Sequence, residues 1–274
     1  MYGRRETTEM NAWLPYNART PRGALRLFCF PPGGAGAAVY RKWIPLLGPA
    51  VEVCPLEFPG RLARRQDALL SSLPELVERA AVALADELSG RFAFFGYSMG
   101  SLVAFELARL LRREHGIEPE WLFVAAHSAP QLARRVPAMS HAPDHELLHF
   151  FQSTYGPLPE QVLAHAELLT VIGDILRADV HLLERYAYAE EPPLACPIRA
   201  FGGLHDESTM RAELVAWRAQ TTADFALHML PGGHFFWEDS LPDLVQVVAR
   251  CLGLPHSGDC SIRTNPALIR MTST

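Results

Sequence analysis

The chain has 274 residues and a mass of 30.4 kDa, which fits one large α/β domain or two small domains of about 150 residues each. Apolar residues make up 49% and charged residues 20%, so the chain can bury a large core and a wholly disordered protein is excluded. The net charge of −5 argues against a general nucleic-acid binder, and no apolar run reaches the roughly 18 residues that a membrane-spanning helix needs.

Apolar runs that end at glycine or proline predict the strands of a sheet. In chain order, the predicted strands are 25–30, 51–58, 91–95, 121–126, 197–201 and 225–230. Amphipathic stretches between them predict helices at 74–90, 101–116, 209–220 and 243–254. Because strands alternate with helices of this length, we predict an α/β fold with a mostly parallel sheet covered by helices on both faces.

Residues 131–192 interrupt this alternation, since they contain no clear strand and are rich in proline, histidine and aromatic residues. An insertion after the C-terminal end of a strand lies over the ligand-binding face of such a sheet, so we predict a helical lid here. The core is then expected at 21–130 and 193–254. Flexible segments are expected at 1–20 and 255–274, which show no periodicity.

Cysteine usage and the N-terminal segment bear on the cellular compartment. The cysteines are at positions 29, 54, 196, 251 and 260, with no C-x-x-C pair, and four of them lie in or beside apolar segments. The first residues include basic side chains but no apolar stretch, so we expect no secretory signal peptide. We therefore expect reduced thiols and a cytoplasmic protein.

The segment Gly96-Tyr97-Ser98-Met99-Gly100 matches the pattern G-x-S-x-G between a predicted strand and a predicted helix. In a nucleophile elbow, small residues let the chain turn sharply from strand to helix, which exposes the serine hydroxyl at the edge of the sheet. The N-terminus of the following helix adds partial positive charge near the reacting oxygen. This context predicts that Ser98 is a catalytic nucleophile.

A serine nucleophile needs a base, and the base needs an acid that orients it. On a nucleophile elbow of this type the chain order is Ser, then Asp or Glu, then His, with the last two on loops after late strands. Asp206 follows the predicted strand 197–201, and His234 follows the predicted strand 225–230. We therefore predict Asp206 as the acid and His234 as the base.

Other residues offer alternative assignments. His127 also follows a predicted strand and is the rival base, while Glu207 and Asp224 are alternative acids. The segment 145–149 reads HELLH, a pattern in which two histidines one helical turn apart hold zinc and the glutamate acts as base. No third ligand follows at the usual spacing, so we interpret this segment as a lid helix capped by Asp144 and expect no metal site.

An acyl oxyanion needs two preorganised N–H donors. The amide of Met99, which follows the nucleophile, is the first predicted donor. The second is expected in the loop after the first strand, which reads PPGGAG and offers Gly33 and Gly34 as candidates. This loop lacks both the lysine of a phosphate-binding P-loop and the G-x-G-x-x-G spacing of a dinucleotide site.

Several arginines form basic patches in this acidic chain: Arg61, Arg64, Arg65, Arg112, Arg113, Arg134 and Arg135. Such clusters are typical of a solvated face. A local basic patch can nevertheless steer an acidic partner toward a protein of negative net charge.

Taken together, these motifs resemble a type II thioesterase of polyketide and nonribosomal peptide synthesis, a discrete enzyme of the α/β-hydrolase superfamily. The resemblance covers roughly residues 25–253, and its stretches are LFCFPPGGAG, PGR, FFGYSMGSLVAFELARLL, LRADVHLLERY, CPIRAFGGLHD and LPGGHFFW. It places the family's nucleophile, acid and base on Ser98, Asp206 and His234. The family's oxyanion loop usually reads P-H-A-G-G, and Gly33 aligns with its donor.

The resemblance implies a hydrolase that removes acyl groups from the phosphopantetheine arm of acyl or peptidyl carrier proteins in an editing role. Carrier proteins are then the expected partners, and we expect a monomeric, cytoplasmic enzyme with no cofactor of its own that binds neither nucleic acid nor membranes. An acyltransferase or esterase with the same triad, a zinc hydrolase using residues 145–149, and a non-catalytic carrier-binding protein are the alternatives.

Aromatic residues in and near the lid are candidates for the wall of the acyl site, although the same spacing also suits packing within the lid. The candidate substrate-binding residues are Phe150, Phe151, Tyr155, Tyr186, Tyr188 and Phe235.

Overall fold

A computed structural model describes residues 11–16, 25–133, 135, 137–158 and 160–254. The strands in this part of the chain are β1 (Leu25–Phe30), β2 (Val51–Pro55), β3 (Phe92–Tyr97), β4 (Leu122–Ala125), β5 (Ile198–Gly203) and β6 (Phe225–Leu230). They form one parallel sheet in the order β2-β1-β3-β4-β5-β6. The predicted α/β fold is confirmed. Every residue of β3 is buried, because a central parallel strand is covered on both faces.

Helices connect these strands. The α-helices of the described residues are α1 (Trp43–Leu47), α2 (Leu73–Leu84), α3 (Met99–His115), α4 (Asp144–Tyr155), α5 (Glu160–Leu163), α6 (Ala166–Glu184), α7 (Arg211–Val215) and α8 (Trp237–Cys251). The predicted helix 209–220 is divided into α7 and the 3-10 helix Ala216–Gln220. The last predicted helix begins earlier than residue 243, because a kink at Ser240 accommodates Pro242 within α8.

Two apolar layers cover the sheet, because alternate side chains of a strand point to opposite faces. Phe28 and Phe94 pack with α2 and α3 on one face, and Phe95 and Phe123 pack with α1 and α8 on the other. All four rings are fully buried. A large apolar side chain that leaves water in this way contributes about 1.5–3 kcal/mol.

Residues 11–16 correct the prediction of a flexible segment at 1–20. Trp13 is only 8% exposed, and its carbonyl accepts the N–H of Glu57 at 2.9 Å. A segment without periodicity can still be held by single contacts of this kind, which a search for periodic patterns does not detect. The remainder of that segment and all of 255–274 lie outside the described residues.

Residues 131–192 hold α4, α5 and α6, and no strand is present among their described residues. A small apolar cluster of Leu147, Leu176 and Val180 joins α4 to α6. The loop after β1 lies against α6, where Gly34 faces the Leu176 side chain. This helical segment therefore adjoins the C-terminal end of the sheet.

Candidate active site

The turn between β3 and α3 has the geometry of a nucleophile elbow. Ser98 adopts φ 51° and ψ −122°, a strained conformation for a residue with a side chain. A Cβ atom on Gly96 would lie 2.3 Å from the Gly100 carbonyl oxygen, and one on Gly100 would lie 2.1 Å from the Phe30 carbonyl oxygen. Both glycines of the motif are thus required by close backbone approach.

Ser101, which the sequence analysis did not single out, links this elbow to the neighbouring strand β4 through its hydroxyl group. Its hydroxyl oxygen accepts the N–H of Ala125 at 3.0 Å and lies 2.9 Å from the carbonyl oxygens of Gly96 and Ala125. The N–H of Ser98 donates to the same Ala125 carbonyl at 2.7 Å. These bonds tie the strained turn to β4.

The structure brings the three predicted triad residues together. His234 Nε2 lies 3.0 Å from Ser98 Oγ, and His234 Nδ1 lies 3.0 Å from Asp206 Oδ2. Because an ionised carboxylate can only accept, Nδ1 carries the imidazole proton and Nε2 is left to accept the serine proton. The Tyr97 hydroxyl donates to the His234 carbonyl at 2.6 Å and fixes the loop after β6.

The rival assignments occupy other places. His127 Nδ1 lies 2.7 Å from the carbonyl oxygen of Ser128, and Asp224 forms an ion pair with Arg199. Asp206, rather than Glu207, is the acid that contacts His234. In the HELLH segment the His145 side chain is 82% exposed. Within the described ranges, no group of three or more His, Cys, Asp or Glu side chains is arranged to hold a metal ion.

Ser208 is a fourth polar residue of the site that the sequence analysis missed. Its hydroxyl donates to Asp206 Oδ1 at 2.6 Å and lies 3.0 Å from His234 Nδ1, while its N–H donates to the same Oδ1 at 2.9 Å. The signal in the sequence is the pattern Asp-x-Ser, since Asp commonly bonds the backbone two residues further on.

These contacts set the ionisation of the acid. Burial by itself would raise the pKa of Asp206, but the hydrogen bond and charge of His234, together with the two bonds from Ser208, lower that pKa below its ordinary value of 3.8. Asp206 is therefore a carboxylate at neutral pH and can stabilise a protonated imidazole.

Both residues that were predicted to donate to the oxyanion line the cavity above Ser98. Gly33 and Met99 line it together with Ser98. Neither the N–H of Gly33 nor that of Met99 meets an acceptor in the described part of the chain. Met99 is also the first residue of α3, where the helix dipole favours negative charge.

Four of the predicted substrate-binding aromatics line this cavity: Phe150, Phe151, Tyr155 and Phe235. The Tyr155 ring lies 4.6 Å from the His234 ring, measured between centroids. The lining is completed by Pro32, Asp179, Val180, Leu183 and His234. Lid helices α4 and α6 thus supply much of the apolar wall.

The structure places Tyr186 and Tyr188 elsewhere, so their predicted place at the acyl site is wrong. The Tyr186 hydroxyl donates to Glu106 of α3 at 2.6 Å, and the Tyr188 ring contacts the Arg109 guanidinium. Beyond the end of α6 at Glu184 the chain contacts α3, where the Arg109 guanidinium also donates to the Ala189 carbonyl.

The comparison with known families agrees with this geometry. The family model described as "Thioesterase domain" matches residues 25–251. The chain belongs to the thioesterase domain family. As a member of that family it is a thioester hydrolase, and its fold is of the α/β-hydrolase type. In the described residues no helix has both the length and the apolar character to cross a membrane.

Relatives cover nearly the whole chain. The gramicidin S biosynthesis protein GrsT of Aneurinibacillus migulanus is 36% identical over 248 residues, 90% of this chain and 96% of GrsT. LgrE of Brevibacillus parabrevis, named linear gramicidin dehydrogenase, is 37% identical over 243 residues, 88% of this chain and 92% of LgrE. The triad geometry agrees with the family model rather than with the word dehydrogenase in that name.

Solved structures give the same result. RedJ, a thioesterase from the prodiginine biosynthetic pathway of Streptomyces coelicolor, superposes with a TM-score of 0.79 at 32% identity. The match covers 89% of this chain and 100% of the RedJ chain. The predicted resemblance to thioesterases of polyketide and nonribosomal peptide pathways is confirmed.

Proposed function

We propose that the chain hydrolyses acyl thioesters on the phosphopantetheine arm of acyl or peptidyl carrier proteins, and clears stalled acyl groups during polyketide or nonribosomal peptide synthesis. The observation that carries this proposal is the Ser98–His234 contact of 3.0 Å at the floor of a cavity walled by apolar lid residues. The names of GrsT and RedJ, which place those proteins in biosynthetic pathways, support the substrate class.

In the proposed mechanism Ser98 Oγ attacks the thioester carbon while His234 Nε2 takes the hydroxyl proton. The acyl oxygen becomes negative and is bound by the N–H groups of Met99 and Gly33. Asp206 fixes the Nδ1–H tautomer of His234 and stabilises the imidazolium, and Ser208 holds Asp206 in place.

The carbon–sulfur bond then breaks, and the proton on His234 passes to the departing thiolate. A thiol has a pKa near 8.5, so it leaves more readily than an amine and makes little demand on the general acid. Water, deprotonated by His234, attacks the acyl-serine, and collapse of the second oxyanion releases a carboxylic acid and restores Ser98. The cycle consumes one water and uses no cofactor of the enzyme's own.

We further infer a monomer that works in the cytoplasm with its carrier partner. All the groups of the proposed mechanism come from one chain. The free thiols Cys29, Cys54 and Cys196 are buried, which suits a reducing compartment. Sedimentation analysis at two protein concentrations tests the monomer: a mass near 30.4 kDa at both supports it, whereas a doubled mass, or one that rises with concentration, contradicts it.

The test uses the purified protein with butyryl-phosphopantetheinyl carrier protein, and follows free butyrate and unloaded carrier by mass spectrometry. We expect acid release by the wild type and by Ser153→Ala, an exposed serine of α4, and no release by Ser98→Ala. Release that survives in Ser98→Ala but stops with a chelator would instead support a zinc hydrolase.

Transfer of the acyl group to an added amine or alcohol, without acid release, would support an acyltransferase. Carrier binding without any turnover would support a non-catalytic role. Hydrolysis of simple oxygen esters with no action on the carrier thioester would support an esterase.

A further inference from the structure

A buried ion pair adjoins the catalytic cavity without belonging to the triad. Arg61 follows β2 on the loop Pro59-Gly60-Arg61, and its side chain is only 3% exposed, although the sequence analysis assigned it to a solvated face. Its guanidinium bonds Asp179 Oδ1 on α6, and the Asp179 side chain is also 3% exposed. The guanidinium also donates to the Pro59 carbonyl at 2.9 Å.

The other oxygen of the same carboxylate holds the oxyanion loop. The N–H of Gly34 donates to Asp179 Oδ2 at 2.8 Å. Gly34 has φ 78°, a backbone conformation that residues with a side chain rarely adopt, and it faces the Leu176 side chain of α6. Asp179 also lines the cavity beside Gly33 and Ser98.

Stability alone does not explain this arrangement. Removing two charges from water is costly, and an apolar pair of similar size often gives equal or greater stability. A carboxylate that accepts a backbone N–H fixes the position of that peptide, because the charge-assisted bond is stronger and more directional than an apolar contact. The buried pair therefore has a reason to exist if the Gly33–Gly34 peptide must be held in one orientation.

The geometry points to Asp179 as a positioning residue for the oxyanion hole. With Arg61 compensating its charge, Asp179 holds the Gly34 N–H, and the preceding Gly33 N–H is thereby directed to the acyl oxygen above Ser98. Because Asp179 lies on α6, the hole is complete only while this lid helix is docked on the loop. This inference rests on the proposed thioester hydrolysis.

The test compares Asp179→Asn and Arg61→Met with the wild type on the butyryl thioester of pantetheine. A control is Glu191→Gln, which removes a carboxylate that pairs with Arg109, Arg112 and Arg113 far from the cavity. We expect kcat to fall about 10- to 100-fold in both test variants, since loss of an oxyanion donor costs about 100- to 1,000-fold and a displaced donor costs less. Glu191→Gln should retain kcat within about twofold.

Two ligands separate a positioning role from a structural or substrate-binding role. A trifluoromethyl ketone carrying the same acyl chain forms a tetrahedral oxyanion with Ser98, and we expect its affinity to fall in parallel with kcat. A thioether analogue, with a methylene in place of the carbonyl, has no oxyanion, and its Kd should stay unchanged. Weaker binding of the thioether would overturn the proposal in favour of direct substrate contact by Asp179.

The double variant Arg61→Met with Asp179→Leu covers the case in which a single variant does not fold, because an apolar pair can replace a buried ion pair without loss of stability. Wild-type kcat in a folded double variant would overturn the proposal. Failure of the wild type to hydrolyse any thioester would instead contradict the proposed function, so the two failures are distinguishable.

Discussion

The two halves of the active site are held in different ways. Ser98, Asp206 and His234 follow parallel strands, and backbone bonds such as His205 N–H to the Gly232 carbonyl at 2.9 Å join their loops. The lid half includes the aromatic side chains of α4, a helix in which Leu147 is the one described residue that is buried. Backbone hydrogen bonds thus set the distances that proton transfer needs, while much of the acyl wall is built from side chains of a helix whose residues are mostly exposed or half-buried.

Of the predicted changes, removal of the catalytic base His234 should have the largest effect on activity. His234→Ala should lower kcat about 10,000- to 1,000,000-fold, because neither serine activation nor protonation of the thiolate remains. Thioester hydrolysis and the unfolding midpoint should be measured together. A fall in activity below about tenfold with an intact fold would mean that another residue serves as the base.

Glycine substitutions compare the two halves of the site by their effect on the free energy of unfolding. In Gly100→Ala the new Cβ would lie 2.1 Å from the Phe30 carbonyl oxygen, so we expect a loss of about 3 kcal/mol in the free energy of unfolding. The matched variant on lid helix α6 is Gly173→Ala, whose new Cβ would have no neighbouring atom within 4 Å. We expect its free energy of unfolding to rise by about 0.5–1 kcal/mol. Urea unfolding measures both, and equal effects would contradict the comparison.

Truncation of one lid aromatic should change substrate binding rather than chemistry. Phe151→Ala removes part of the apolar wall, and we expect KM for the butyryl thioester to rise about tenfold with kcat within threefold. The control is Leu168→Ala, an exposed leucine of α6. A drop in kcat at unchanged KM would show that Phe151 acts on the triad instead.

Ser208→Ala should have the smallest effect, a fall in kcat of about threefold to tenfold, because one hydrogen bond to the acid is lost. Ionised Asp206, whose pKa is held below 3.8, contributes stability that is present above its unfolded pKa and lost as pH falls through the lower folded value. Without the Ser208 hydroxyl that folded pKa rises, so acid unfolding should occur at higher pH than in the wild type. An unchanged acid midpoint, as expected for Ser153→Ala, would contradict this role of Ser208.

Much of the site could be predicted from the sequence because it depends on local rules. Strand–Gly-x-Ser-x-Gly–helix specifies the elbow at Ser98, and loops after late strands of a parallel sheet converge at one edge, which indicated Asp206 and His234. The aromatic residues of α4 could be assigned to the lid because that segment follows a strand end.

Other contacts could not be predicted, because they join residues far apart in the chain. Arg61 and Asp179 are separated by 118 positions, and each by itself is an ordinary surface-type residue. Tyr186 is an aromatic residue near the lid and was therefore a candidate for the acyl site, but it follows the end of α6 and its hydroxyl bonds Glu106 of α3. Trp13 belongs to a segment without periodicity and is nevertheless buried.

The α/β architecture, the position of the nucleophile and the order of the triad follow from local patterns of residues, because backbone sterics and hydrophobic periodicity act over a few residues. The packed fold was needed to identify the carboxylate that holds the oxyanion loop, the serine that supports Asp206 and the aromatic residues that face the acyl site. Those choices depend on how α6 and the loops after β1, β2 and β5 meet, and such long-range packing leaves no local pattern in the sequence.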